Sequence, residues 1–173
     1  MRKGGGKAKG RSYENDMTKV FAEWSGLKWK RVPMSGGFQK SVVSGDIFCV
    51  QEYEEKRDVR IPFSFELKNR TAWDLVQFFK DADKFQVKEW WAQSCNDANI
   101  NNKYPALIFT KNYYPDFIML QLTILNKLQK LVKQSWKKFP YISCTMDKDE
   151  EVIVLPLPDF LSWIDFPTFL KLT

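Results

Sequence analysis

Residues Ile61 to Lys68, Ile-Pro-Phe-Ser-Phe-Glu-Leu-Lys, alternate apolar and polar side chains with a period of two. That period belongs to an extended strand, whose successive side chains point to opposite faces. Ile61, Phe63, Phe65 and Leu67 share a face suited to a core, while Ser64, Glu66 and Lys68 share the other. A carboxylate beside an ammonium is common on a solvated strand, so the pair acquires chemical meaning only from what stands opposite it. Upstream, Ser44-Gly45-Asp46 introduces the apolar strand formers Ile47 to Val50. The charged stretch Gln51–Arg60 between the two segments reads as the exposed tip of a hairpin. With the turn centred on Lys56 and Arg57, Asp46 falls opposite Glu66 or Leu67, and directly opposed residues have Cβ atoms ~5 Å apart. Two carboxylates at that separation repel unless a cation sits between them. A hard divalent ion such as Mg²⁺ fits, because it prefers oxygen ligands and keeps several waters.

Histidine is absent from all 173 residues. Nucleophilic triads, imidazole general bases and His-bearing zinc sites are therefore excluded, and hydrolytic chemistry must rest on carboxylates, lysine and a bound metal. A hydrophobic content of 44% with seven Trp and fourteen Phe excludes wholesale disorder, and the length suits one domain. No apolar run approaches the ~20 residues that span a bilayer, and the first residues are basic and Gly-rich, unlike a signal peptide. Cys49, Cys95 and Cys144 stand far apart and read as reduced thiols of a cytosolic protein. The net charge of +6 is unevenly placed: residues 1–11 carry Arg2, Lys3, Lys7, Lys9 and Arg11 with no acid, and the remainder is nearly balanced. Residues 1–11 thus read as a basic flexible arm, either for a polyanion or simply as a solubilising terminus, ahead of a single domain over 12–173.

Ser12 is the expected N-cap of a helix to about Trp24, with Tyr13, Met17, Val20, Phe21 and Trp24 as its apolar stripe and Glu14 on the edge of that stripe. Leu27–Pro33 reads as a strand. The loop Met34–Ser41 has a small polar centre and Lys40, and could lie on a phosphate backbone or simply connect two elements. Helical periodicity continues after Trp73 to Lys80, and again over Lys84–Ala98, where Val87, Trp90, Trp91 and Cys95 form a stripe with Gln86 and Gln93 beside it. Asn96–Asn102 reads as a polar loop, and Pro105–Thr110 as a strand buried on both faces. Phe117–Leu122 is a further strand. Ile124–Lys138 reads as one amphipathic helix with five lysines, Lys127, Lys130, Lys133, Lys137 and Lys138, opposite its apolar side. Tyr141–Met146 and Val152–Leu155 read as strands joined by an acidic turn, before a closing helical turn at Asp159–Ile164.

Taken together, Lys9-Gly10 with Glu14, then Arg31 with Ser35-Gly36, Gly45-Asp46, Glu66-Leu67-Lys68 and a helix bearing Gln86 resemble the PD-(D/E)xK nuclease superfamily. Within it the likeness is to archaeal-type Holliday junction resolvases, including those carried by phages. It covers about residues 9–111, and the chain departs from the pattern in having Gly45 where many relatives have proline. The resemblance implies an α/β, restriction-endonuclease-like core: a central mixed β-sheet flanked by helices. It implies Asp46, Glu66 and the Leu67 carbonyl as ligands of Mg²⁺ or Mn²⁺, Glu14 completing that shell, and Lys68 holding and helping to deprotonate the attacking water. It implies a homodimer nicking four-way DNA junctions in the cytoplasm of a prokaryotic or phage-infected cell, with no membrane partner. Arg2, Lys3, Lys7, Lys9, Arg11, Arg31, Ser35, Lys40 and Gln86 are the expected DNA contacts. Another endonuclease of the superfamily, or a non-catalytic DNA-binding protein, are the alternative readings.

Overall fold

A computed structural model describes residues 5–33, 43, 45–53, 59–79, 85–146 and 149–172, with side chains from Ala8 onward. The chain runs α1 (Gly5–Ser25), β1 (Trp29–Arg31), β2 (Ile47–Cys49), α2 (Val50–Tyr53), β3 (Phe63–Asn69), a 3-10 turn (Leu75–Phe79) and α3 (Gln86–Ile100). It continues β4 (Tyr104–Thr110), β5 (Phe117–Gln121), α4 (Leu122–Gln129), a 3-10 turn (Trp136–Lys138), β6 (Ile142–Thr145), β7 (Glu151–Pro156), α5 (Leu157–Trp163) and α6 (Phe166–Phe169).

The alternating stretch is β3, near the middle of a seven-stranded sheet ordered β1-β2-β3-β4-β5-β7-β6. β3 and β4 run parallel, with Phe65 beside Ala106 and Lys68 beside Phe109; the other neighbours are antiparallel. A parallel pair needs a crossover connection, and α3 supplies it. This is the mixed sheet with flanking helices that the resemblance implied.

Each face of the sheet buries its own core. Phe63, Phe65 and Leu67 meet Tyr13, Met17 and Phe21 of α1, with Ala106, Ile108 and the apolar sides of α4, α5 and α6 in the same cluster. On the other face Leu107 and Phe109 of β4 meet Val87, Trp90 and Trp91 of α3. The continuous apolar run of β4 thus splits by parity between two cores, as a strand covered on both sides should. Glu66 and Lys68 lie on the α3 face and are enclosed there instead of solvated.

Four local expectations fail, each for a visible reason. α1 begins at Gly5, so Ser12 lies inside the helix instead of capping it. Lys7, Ala8, Lys9 and Arg11 are good helix formers, and they extend the helix upstream of its apolar stripe. Gln51 is buried in the short α2 instead of opening an exposed tip; its Oε1 accepts the Lys28 amide at 3.2 Å. α3 runs through to Ile100, absorbing most of the expected polar loop. The 124–138 helix stops at Gln129, whose Nε2 donates to the Val132 carbonyl at 3.0 Å and whose Oε1 accepts the Trp136 amide at 3.1 Å. That side chain fastens a turn, and Trp136 reaches the core from a separate 3-10 segment, so the five lysines form no single helical face. Residues 34–42 and 54–58, which include the whole of the expected loop Met34–Ser41 and the hairpin centre, lie outside the described residues.

Candidate active site

Gly45 sets the geometry. Its φ is +83°, a region that side-chain-bearing residues rarely occupy. A Cβ added there would lie 2.5 Å from the Phe65 carbonyl oxygen and 2.9 Å from the Phe65 nitrogen. Only glycine lets the chain pass this close to β3. The next residue is locked in turn: the Asp46 amide donates to the Phe65 carbonyl at 2.8 Å, and Asp46 Oδ2 accepts the Leu67 amide at 2.8 Å. Ile47 pairs with Phe65, which sets Asp46 against Glu66. The register expected from hairpin symmetry holds here, even though α2 occupies part of the connection.

Glu66 and Lys68, two residues apart on β3, form a direct ion pair. Gln93 of α3 donates from Nε2 to Glu66 Oε1 at 2.7 Å and accepts Lys68 Nζ at 3.2 Å. From the opposite core α1 brings Glu14, whose Oε2 accepts Arg31 Nη1 of β1 at 3.3 Å. The three acids, Lys68, Gln93, Gly10, Tyr13, Leu67, Asn69 and Arg70 line one pocket of about 170 Å³ at the C-terminal end of β3. The side chains that were expected to converge do so, although they come from three separate elements.

Crowding of acids shows in their protonation. Glu66 is 2% exposed, and its carboxyl is pushed up to about 7, first by burial and then by the charge of Asp46, against the pull of Lys68. Buried Asp97 of α3 adds to the rise. Glu14 is raised by burial and by Asp46, opposed by Arg31 and Arg11. Like charges raise one another in this way when they share a poorly solvated space. Carboxylate donors under mutual repulsion, as at Asp46, Glu66 and Glu14, have the chemistry that suits a hard cation such as Mg²⁺ or Mn²⁺. Among the described residues no three His, Cys, Asp or Glu side chains lie close enough to form a ready-made cage. The carboxylates are instead held by protein donors, above all Arg31, Lys68, Gln93 and the Leu67 amide.

Of the expected DNA contacts, Arg11 is exposed and Lys9 half-exposed on the first turns of α1, ahead of Glu14, and Arg31 sits beside Glu14 itself. Arg2, Lys3, Ser35 and Lys40, and the side chain of Lys7, lie outside what is described. Gln86 does not line the pocket; its Oε1 is buried without a partner among the described residues. The glutamine that reaches the acids is Gln93, two helical turns later on the same stripe. That seven-residue spacing was visible in the sequence, but which turn of α3 passes the end of β3 depends on the crossover. Tyr13, Asn69, Arg70 and Asp97 also escaped sequence reasoning, since nothing local distinguishes them from ordinary core or surface residues.

A model of the family described as "Phage putative PDDEXK endonuclease" matches residues 5–170. The chain belongs to that family. Among curated proteins the chain is similar to "Protein D14" of Escherichia phage T5, 29% identical over 105 residues covering 60% of this chain and 63% of that protein. The chain thus spans under two thirds of that relative's length. No solved structure matches it. PD-(D/E)xK nucleases generally use Mg²⁺ or Mn²⁺, and membership in the family points to nuclease chemistry on DNA. Among the described residues no helix is long and apolar enough to cross a membrane.

Proposed function

We propose that this protein is a divalent-metal-dependent, structure-selective endodeoxyribonuclease that resolves four-way DNA junctions by paired nicks, acting as a homodimer in the cytoplasm of an infected cell. One observation carries the catalytic part: Glu14, Asp46 and Glu66, from three elements, share a single pocket with Lys68. Asp46, Glu66 and the Leu67 carbonyl would hold the metal with Glu14 completing the shell; when bound, it supplies positive charge for the phosphoryl oxygens and lowers the pKa of a coordinated water.

The chain's own groups do the rest. Lys68, paired with Glu66, holds the attacking water; its positive charge eases loss of that water's proton to solvent and opposes the charge of the developing phosphorane. Gln93 bonds both members of this pair and fixes the ammonium in place. The position of Lys9, Arg11 and Arg31 near Glu14 supports backbone recognition through phosphates, which reads the shape of a junction without reading its bases. The described residues of one chain form one such pocket, so paired cuts on opposed strands call for two chains related by a twofold axis.

The test is incubation with a labelled four-way junction, a linear duplex and a flap, in Mg²⁺ or in chelator. Symmetric nicks on the junction alone support the proposal. Cleavage of all three makes the protein a less selective endonuclease of the same family, and metal-independent binding without cleavage makes it a binding protein. Asp46→Asn is expected to lower cleavage by several orders of magnitude while junction affinity holds; normal cutting by this variant would place the metal elsewhere.

A further inference from the structure

Beside the pocket, the turn from β4 to β5 carries a residue that the proposed chemistry does not use. Asn69 of β3 pairs with Thr110 of β4, and the Arg70 amide donates to the Thr110 carbonyl at 3.1 Å. Lys111-Asn112-Tyr113-Tyr114 then closes a turn in which the Tyr114 amide donates to the Lys111 carbonyl at 3.1 Å. Tyr113 sits at the third position with φ +67°, a place that turns ordinarily give to glycine or asparagine. Its ring is fully exposed, at 104% of the reference area. An aromatic side chain in a strained backbone position usually earns its place by packing, and this one packs on nothing among the described residues.

The turn itself is firmly held. The Thr110 hydroxyl lies 3.2 Å from the carbonyl oxygens of both Tyr114 and Pro115. Lys111 Nζ sits 4.1 Å from the centre of the Tyr114 ring and donates to the Trp73 carbonyl at 2.9 Å. At the far end of the turn Asp116 accepts the hydroxyl of Tyr13, itself a lining residue of the pocket, at 2.9 Å. The scaffold is fastened to the pocket at both ends, with Lys111 also paired to Asp74 at 3.5 Å, the exposed ring at its tip and Arg70 exposed alongside.

We infer that Tyr113 is a stacking post for an unpaired nucleobase next to the strand being cut, with the exposed Arg70 taking a flanking phosphate. A base presents an aromatic face whatever its identity, so the contact favours DNA with bases unpaired at a branch over continuous duplex without reading sequence. This inference rests on the nuclease reading of the neighbouring pocket but can be measured without cleavage. The probe is a forked DNA with 2-aminopurine at the unpaired position beside the branch, against a fully paired duplex of the same sequence, in chelator. Tyr113→Gly suits the turn better than tyrosine and folds at least as stably by thermal melting; Tyr113→Phe keeps the ring. The wild type is expected to change the 2-aminopurine emission by stacking and to prefer the fork. Tyr113→Gly should lose that signal and weaken fork binding roughly tenfold with duplex binding unchanged, while Tyr113→Phe keeps both. Unaltered signal and preference in Tyr113→Gly overturn the inference, as does a change in oligomeric state at unchanged fork affinity, which would make the ring a contact between copies. A wild type that stacks on the fork yet cuts no DNA in Mg²⁺ overturns the nuclease reading and leaves the stacking post standing.

Discussion

Two glutamate–lysine pairs sit near opposite ends of β3, and they are built to different ends. Near the start of the strand Glu52 of α2 receives Lys103 Nζ on both oxygens, at 2.9 and 2.8 Å, and the Ile61 amide at 3.1 Å. Both of its side chains are nearly enclosed, 11% and 7% exposed. Near the end of the strand Glu66 meets Lys68 in a similarly enclosed pair, but with Asp46, Glu14 and Asp97 close by. The first carboxylate is satisfied and fastens α2 to the entrances of β3 and β4. The second is surrounded by more negative charge than its single lysine offsets, and it opens on a cavity. Burial and pairing alone do not mark a reactive centre; unbalanced acids facing a space do.

The sharpest way to break this contrast is to neutralise each glutamate. Glu66→Gln is expected to abolish metal-dependent cleavage by several orders of magnitude with the fold intact. Glu52→Gln strands a buried ammonium and should lower unfolding free energy by about 4 kcal/mol, with the activity of the folded fraction retained. Loss of cleavage in both variants at equal stability would erase the distinction. Next in size is Gly45→Ala, which forces a methyl group against the Phe65 backbone. It should cost on the order of 3 kcal/mol in denaturant unfolding and reduce cleavage as well, because Asp46 moves with it; a neutral result would mean that β2 shifts freely.

The contrast also predicts a dependence on pH. Glu66 has a folded pKa raised from 4.5 to about 7, so the folded state holds its proton more tightly than the unfolded chain. In chelator, stability should therefore fall as pH rises from about 5 to 8, by on the order of 2 kcal/mol. Glu66→Gln should flatten this slope in thermal melts and melt above wild type at pH 8, and Mg²⁺ should stabilise the wild type there but not the variant. A wild-type slope unchanged in Glu66→Gln assigns the effect elsewhere. The smallest effect lies outside the pair: replacing Arg2 and Lys3 with alanine should reduce the salt slope of DNA binding by ~2. Equal slopes would remove these two residues from the interface.

Much of this was written locally. Period-two alternation placed β3, an unbroken apolar run placed β4 at the centre, and hairpin symmetry set Asp46 against Glu66 within one residue. These succeed because parity is a property of a short segment. What stayed illegible depends on partners distant in sequence. Gln129 ends α4 through bonds to residues that follow it, Gln93 matters because of where the crossover passes, and Asp116 gains its role from Tyr13 over a hundred residues away. The upstream extension of α1 is a different kind of miss, since the apolar stripe marks where a helix packs and says nothing of how far it continues.

Asp46 has a double duty. One of its carboxylate oxygens rivets the Leu67 amide, so the group that would bind the metal also fastens β2 to β3. A chain whose β2 has slipped by one residue loses the rivet and the acid together. On the proposed function, competence to cut would be tied to correct assembly: a misregistered or half-folded molecule would lack the acid and the rivet alike.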